Sequence, residues 1–129
     1  HRAGKKVAFH ADADLRLLVD LILEAEYDVM DCLAVSPLVN CTFQHIRQRC
    51  QDRIVLWGGI PSTMLEPPYT IPELEEHLHM LFRAAAPGHN FIVGFSDQAM
   101  PGSRYDYIRK VAEFVVRHGK CPLNPDVIL

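Results

Sequence analysis

The chain has 129 residues, of which 49% are hydrophobic and 22% charged, and its formal net charge is −3. This length is that of one domain, covering residues 1–129, and the apolar content excludes intrinsic disorder as the main state. The sequence has no basic patch and no uncharged apolar run near the ~18 residues of a membrane span, so we expect neither nucleic acid nor a membrane as partner. It opens at His1 without a signal peptide, as expected of a piece of something longer.

The number and spacing of the four cysteines indicate a reducing environment. They form no C-x-x-C pair and are too sparse for a disulfide framework, so reduced thiols in a cytoplasmic protein are expected. They stand at Cys32, Cys41, Cys50 and Cys121.

The first half of the chain alternates between strand and helix patterns. Residues 6–10 form a short β-prone run, and apolar residues then recur at helical spacing from Leu15 to Glu26. Asp12 and Asp14 are plausible N-caps of that helix. A second apolar run covers residues 28–35. A short second helix is expected to have one apolar face, formed by Phe43, Ile46 and Cys50.

The second half repeats the alternation. Residues 54–57 form a third strand, stopped by Gly58-Gly59, and Thr70–Glu73 has the Ser/Thr-x-x-Glu form of a capping box that begins a third helix. Residues 90–95 form a fourth strand, and residues 104–118 a fourth helix. The buried face predicted for the third helix is Leu74, Leu78, Leu81, Phe82 and Ala85. The one predicted for the fourth helix is Ile108, Val111, Ala112 and Val115.

The order βαβαβαβα predicts an α/β fold with a parallel sheet, since each crossover returns the chain in the same direction. We predict four parallel strands, each followed by a helix, near residues 6–10, 29–34, 54–57 and 90–95. Ligands of such folds bind at the carboxyl ends of the strands, which identifies the rim where functional residues are expected.

Three rim residues have side chains that suit a metal. His10 and Asp12 follow the first strand, and Asp97 ends the fourth. Imidazole and carboxylate groups are ligands for divalent metals, and the same groups serve as general acid and base. The alternative is that Asp12 caps the following helix while His10 bonds locally.

Other rim residues are candidates for substrate binding. Glycines after a strand let a ligand approach the backbone, although they equally make a tight turn, and a tryptophan at a strand end is often simply core. His77 and His79 lie two positions apart in a helix and cannot chelate together, so we expect them at the surface and the helix edge. The candidate substrate-binding residues are Ser36, Trp57, Gly58, Gly59, Ser96 and Gln98.

Four short motifs, in this order and spacing, resemble the C-terminal half of the uroporphyrinogen decarboxylase superfamily. They are Val7–Asp12, Tyr27–Asp31, Leu56–Pro61, and Phe91–Gly94 through Met100-Pro101. The resemblance covers about residues 5 to 123 and implies a (β/α)4 half of a TIM barrel. Because half a barrel leaves open sheet edges and one bare sheet face, we also expect a homodimer.

The same resemblance implies an enzyme for methyl (one-carbon) transfer or for decarboxylation of a small or tetrapyrrole-like substrate. In the family's methyltransferases, which act with corrinoid proteins, a His-x-Cys and a later Cys hold zinc. His10 matches that histidine, while Asp12 and Asp97 stand where the two cysteines would be, so a divalent metal, zinc first, is the expected cofactor. The decarboxylases have Gly-His-Gly where this chain has Ser96-Asp97-Gln98. The alternative is a non-catalytic binding or assembly module, or a truncated reading frame, that keeps the fold without turnover.

Overall fold

The computed structural model of the protein describes residues 1–126. The strands are β1 (Ala8–His10), β2 (Val29–Leu33), β3 (Val55–Pro61) and β4 (Phe91–Ser96). The α-helices are α1 (Val19–Glu24), α2 (Phe43–Cys50), α3 (Ile71–Ala85) and α4 (Tyr105–His118), and a short 3-10 helix covers Ser62–Leu65. None of the helices in this described part is long and apolar enough to cross a membrane.

The sheet confirms the predicted α/β architecture. Its order is β1-β2-β3-β4 and every neighbouring pair is parallel, with a helix after each strand. Consecutive helices contact one another, α1 with α2, α2 with α3 and α3 with α4, so they form one layer. Right-handed crossovers between adjacent parallel strands require this one-sided arrangement. The result is consistent with a half barrel.

The sheet is curved rather than flat. Some Cα atoms of β2 and β4 approach within 8 Å although β3 lies between the two strands. Strands two apart in a flat sheet would be separated by about 9.5 Å, twice the usual strand spacing. This curvature brings the carboxyl ends of the outer strands towards each other.

Helix α3 forms as its sequence predicts. The Thr70 hydroxyl accepts a hydrogen bond from the backbone N–H of Glu73, and the Glu73 carboxylate accepts one from the backbone N–H of Thr70. This reciprocal capping box satisfies two N–H groups that the first turn would otherwise leave unpaired. All five predicted inward residues are buried: Leu74, Leu78, Leu81, Phe82 and Ala85.

Two predictions are wrong, one on the N-cap of α1 and one on the end of β3. Helix α1 begins only at Val19, with Leu18 as its N-cap, so Asp12 caps no helix; Asp14 accepts a hydrogen bond from the backbone N–H of Arg16 instead. Strand β3 does not stop at Gly58-Gly59 but continues to Pro61, paired with β4 from Leu56 onwards. Gly58 has φ 138°, a conformation open to glycine, which lets the strand continue.

The buried face of α4 also differs from the prediction. Val111 is buried as expected, Ile108 and Val115 are partly buried, but Ala112 is exposed. Tyr107 and Phe114 are buried as well, and the Phe114 ring packs edge-on against Phe82 of α3.

The sheet face opposite the helices is open. Trp57 on β3 and Ile92 on β4 are register neighbours on this face, with 44% and 45% of their surfaces exposed. The Trp57 ring lies against Gly94, where an added Cβ would be 2.9 Å from the indole Nε1. We call this surface, with Trp57 and Ile92 at its centre, the open face.

Candidate functional site

The three predicted metal ligands lie together. One donor atom each from His10, Asp12 and Asp97 falls within 4.8 Å of the other two. His10 ends β1, Asp12 follows that strand and Asp97 follows β4, so the cluster joins the two outermost strands of the sheet. We call these three residues the rim cluster.

Backbone contacts fix the two segments that carry the cluster. The N–H of Ala11 donates to the Asp31 carbonyl at 2.7 Å, and the Ala11 carbonyl accepts from the N–H of Ala34 at 3.0 Å. Two backbone hydrogen bonds therefore fix Ala11, the residue between His10 and Asp12, against the β2 segment. On the other side, Asp97 adopts a left-handed φ of 64°, which turns the chain directly after β4.

The His10 ring has a carboxylate on each side. Its Nδ1 lies 3.4 Å from Asp31 Oδ2, and its Nε2 lies 3.6 Å from Asp12 Oδ2. An ionised carboxylate only accepts hydrogen bonds, so the Nδ1–H donates to Asp31. In the neutral imidazole, Nε2 then carries a lone pair that faces the oxygens of the rim cluster.

The centre therefore combines acceptors and negative charge. Among residues 1–126, the carboxylates of Asp12 and Asp31 lie within 4 Å of the His10 ring nitrogens and of no lysine or arginine nitrogen, and Asp97 forms no ion pair. Two carboxylates repel one another, and a cation placed between them removes that repulsion. This donor arrangement suits a divalent ion.

One donor spacing in the rim cluster also fits a metal. Ligands at bond lengths of about 2.0–2.2 Å around tetrahedral zinc lie about 3.3–3.6 Å apart. The His10–Asp12 separation of 3.6 Å meets this value. The Asp31 contact adds the carboxylate that metal-binding histidines commonly hold on their second nitrogen.

A β-bulge places one further pair beside His10. Between Met30 and Leu33 the register of β2 shifts, so that Asp31 and Cys32 together oppose Trp57. Cys32 has a left-handed φ of 58°, and its Sγ lies 3.6 Å from the carbonyl oxygen of Asp97. Partial burial, and then the nearby Asp31 carboxylate, raise the pKa of the Cys32 thiol.

Three of the predicted substrate-binding residues have structural roles. Ser96 is fully buried and its hydroxyl donates to the Leu33 carbonyl at 2.7 Å. A Cβ on Gly58 would lie 2.5 Å from the Leu33 nitrogen, and one on Gly59 would lie 2.7 Å from the Leu81 side chain. These residues serve close packing of β2, β3 and α3.

The other three predicted substrate-binding residues are exposed. Trp57 lies on the open face, opposite the bulge, and Gln98 follows Asp97 at the rim. Ser36 lines a groove of about 390 Å³ between α2 and α3, together with Glu73 and Met80. The structure thus leaves Trp57 and Gln98 beside the rim cluster and assigns Ser36 to a different surface.

The prediction for His77 at the surface is wrong. This residue is buried, and its Nε2–H donates to the Gly59 carbonyl at 2.7 Å. Burial lowers the pKa of His77 because the charged imidazolium loses its hydration. His79 is half-buried, with its ring edge-on to Phe114.

Sequence reasoning missed Asp31 and Cys32. Adjacent residues of a regular strand point to opposite faces, so strand alternation does not predict that these two side chains lie together. A carboxylate and a thiol side by side in an apolar strand were the available signal, within the motif Tyr27–Asp31 and its next residue.

Comparison with known proteins adds no relative. No protein-family model, no curated protein and no solved structure matches this chain. The resemblance to the uroporphyrinogen decarboxylase superfamily stays a prediction from the sequence motifs.

Proposed function

We propose that the protein is a metal-dependent enzyme domain of the uroporphyrinogen decarboxylase type, with its cation held by the rim cluster. The observation that carries this proposal is the convergence of His10, Asp12 and Asp97 from opposite edges of the sheet. No lysine or arginine of the described chain forms an ion pair with Asp12 or Asp97, which leaves their charge available to a cation.

Each residue has a definable task. His10 offers its Nε2 lone pair, since Asp31 holds the Nδ1 proton. Asp12 and Asp97 contribute oxygen ligands and negative charge. A bound divalent ion, zinc being the predicted one, supplies Lewis acidity to a substrate oxygen.

The oxygen-rich donor set favours an oxygen-bound substrate. With two carboxylates in place of two thiolates the centre is hard, and it activates a thiol less well than a cysteine-ligated zinc would. A methoxy compound or a carboxylic acid fits better, which corresponds to methyl (one-carbon) transfer, with a corrinoid protein as the proposed acceptor, or to decarboxylation. The exposed Trp57 ring on the open face offers an apolar platform for the body of such a molecule.

Metal binding tests the proposal. Protein purified without chelator is analysed for metals and titrated with zinc, as wild type and as the variants Asp12→Asn and Asp97→Asn. Each variant should weaken zinc binding more than about tenfold, because a neutral amide replaces a charged ligand. Asp52→Asn, at an exposed aspartate paired with Arg47, is the control that should bind as wild type. Absence of bound metal, or equal affinities in all four proteins, would contradict the proposal.

The open face favours a second candidate, a module that assembles with a second copy. Exposed Trp57 and Ile92 lie side by side there, and β1 and β4 leave both sheet edges unpaired within the described chain. Light scattering should show a homodimer that Ile92→Lys dissociates. Val116→Lys, at a residue 87% exposed on α4, should leave the dimer intact. A wild-type monomer at all concentrations would exclude this candidate.

A further inference from the structure

A second donor set lies on the other side of the His10 ring. Donor atoms of His10, Asp31 and Cys32 all lie within 4.8 Å of one another, and the last two residues are half-buried. Only His10 is shared with the rim cluster. The rim cluster contains oxygen and nitrogen donors, whereas this set adds a sulfur.

The bulge in β2 explains how two adjacent residues reach the same imidazole. In a regular strand Asp31 and Cys32 would point to opposite faces. Here both oppose Trp57, and the left-handed φ of 58° at Cys32 turns its side chain towards His10. Bulges commonly re-aim a side chain in this way beside functional sites.

Neighbouring strands hold the bulge in place. The Leu33 backbone, directly after Cys32, is contacted closely by Gly58 on β3 and receives the hydrogen bond of the Ser96 hydroxyl from β4. A left-handed conformation is strained for a non-glycine residue, so it persists only where the surroundings enforce it. The three donors are therefore presented together before any ion arrives.

We infer that His10, Asp31 and Cys32 form a separate site for a thiophilic divalent cation such as Cd²⁺. Thiolate is a soft ligand that selects such an ion over Mg²⁺ or Mn²⁺, and imidazole and carboxylate complete the donor set. The thiol proton leaves to solvent when the sulfur binds the ion. In this site His10 uses Nδ1, so its remaining proton moves to Nε2.

The sharing of His10 makes the two positions mutually exclusive. A neutral imidazole offers one lone pair at a time, either Nε2 to the rim cluster or Nδ1 to Asp31 and Cys32. A soft ion at Cys32 would therefore take His10 away from Asp12 and Asp97. The inference itself does not require a cation at the rim cluster.

Cadmium binding tests the inference. Cd²⁺ added to the reduced wild type should produce thiolate-to-cadmium charge-transfer absorption of one thiolate per chain. Cys32→Ser should abolish the band and weaken Cd²⁺ affinity more than about 100-fold, since it removes a direct ligand. Cys121→Ser removes the exposed thiol, and Asp97→Asn keeps the backbone carbonyl beside Cys32 and removes no donor of this set, so both should retain the band.

A labelling experiment needs no variant and so is independent of folding defects. In wild type, Cd²⁺ should slow alkylation of Cys32 at least about tenfold, while alkylation of Cys121 continues at its former rate. A wild type without the band, a band that survives in Cys32→Ser, or unprotected Cys32 would each overturn the inference. Loss of zinc binding in Asp97→Asn with the cadmium band intact would support both proposals separately.

Discussion

The substitution Gly58→Ala tests the packing that holds the β2 bulge. An added Cβ would lie 2.5 Å from the nitrogen and 2.8 Å from the carbonyl oxygen of Leu33. Both atoms belong to backbone, so no flexible side chain can move away. In addition, the φ of 138° at Gly58 is one that L-residues rarely adopt.

The expected loss follows from these two effects. Backbone strain costs about 1–3 kcal/mol, and overpacking of a tight contact costs about 1–3 kcal/mol more. Together they remove about 2–6 kcal/mol from a domain stability that is about 5–15 kcal/mol in total. The control is Gly4→Ala, because Gly4 also has a positive φ, 68°, but no atom within 4 Å of an added Cβ. The control should lose no more than about 1–2 kcal/mol.

Urea denaturation followed by far-ultraviolet circular dichroism measures both variants. The free energy of unfolding should fall more in Gly58→Ala than in Gly4→Ala by at least about 1 kcal/mol. If the two variants lose the same free energy, the contact between β3 and Leu33 is not tight. The account of a fixed bulge would then be refuted.

Two further predictions concern buried polar groups. Ser96→Ala should destabilise the protein by about 1–3 kcal/mol, because it removes the hydrogen bond to the Leu33 carbonyl. Ser103→Ala should be neutral or stabilising, because the buried Ser103 hydroxyl has no partner in the described chain. Equal urea midpoints for the two variants would contradict this prediction. His77 has a lowered pKa in the folded protein, so the unfolded chain binds its proton more readily and stability should fall as the pH drops below the ordinary value of 6.5. His77→Gln should lessen the loss of unfolding free energy between about pH 7.5 and about pH 5.5, and an unchanged pH dependence would exclude His77 as its source.

The sequence was most informative where local patterns determine structure. Helix α3 follows from the capping box at Thr70 and Glu73 and from its apolar spacing, because both signals act within one or two turns. The alternation of units likewise predicted the parallel sheet. The path of β3 through Gly58 was not predictable in this way. This glycine does not form a turn but allows the close approach of the neighbouring β2 backbone.

The site shows the same division. The rim cluster was predictable because parallel strands present their carboxyl ends at one edge. Asp31 and Cys32 were not, because a bulge depends on the register with β3. The burial of His77 depends on the Gly59 carbonyl. Because that carbonyl belongs to β3, the sequence pattern of α3 does not reveal it.

The rim cluster spans the sheet from its first strand to its last, whereas every strand pairs with its neighbour in the sequence. The sheet can therefore assemble unit by unit through contacts of short range, but the cluster exists only when the whole chain has folded. A cation held there would bind only the completely folded sheet. At a free concentration 100 times its dissociation constant, it would add about 2.7 kcal/mol to the unfolding free energy. Bound ion would thus make the fraying of β1 and of β4 one cooperative event, and substitutions in β2 or β3 that touch no ligand would still release the ion.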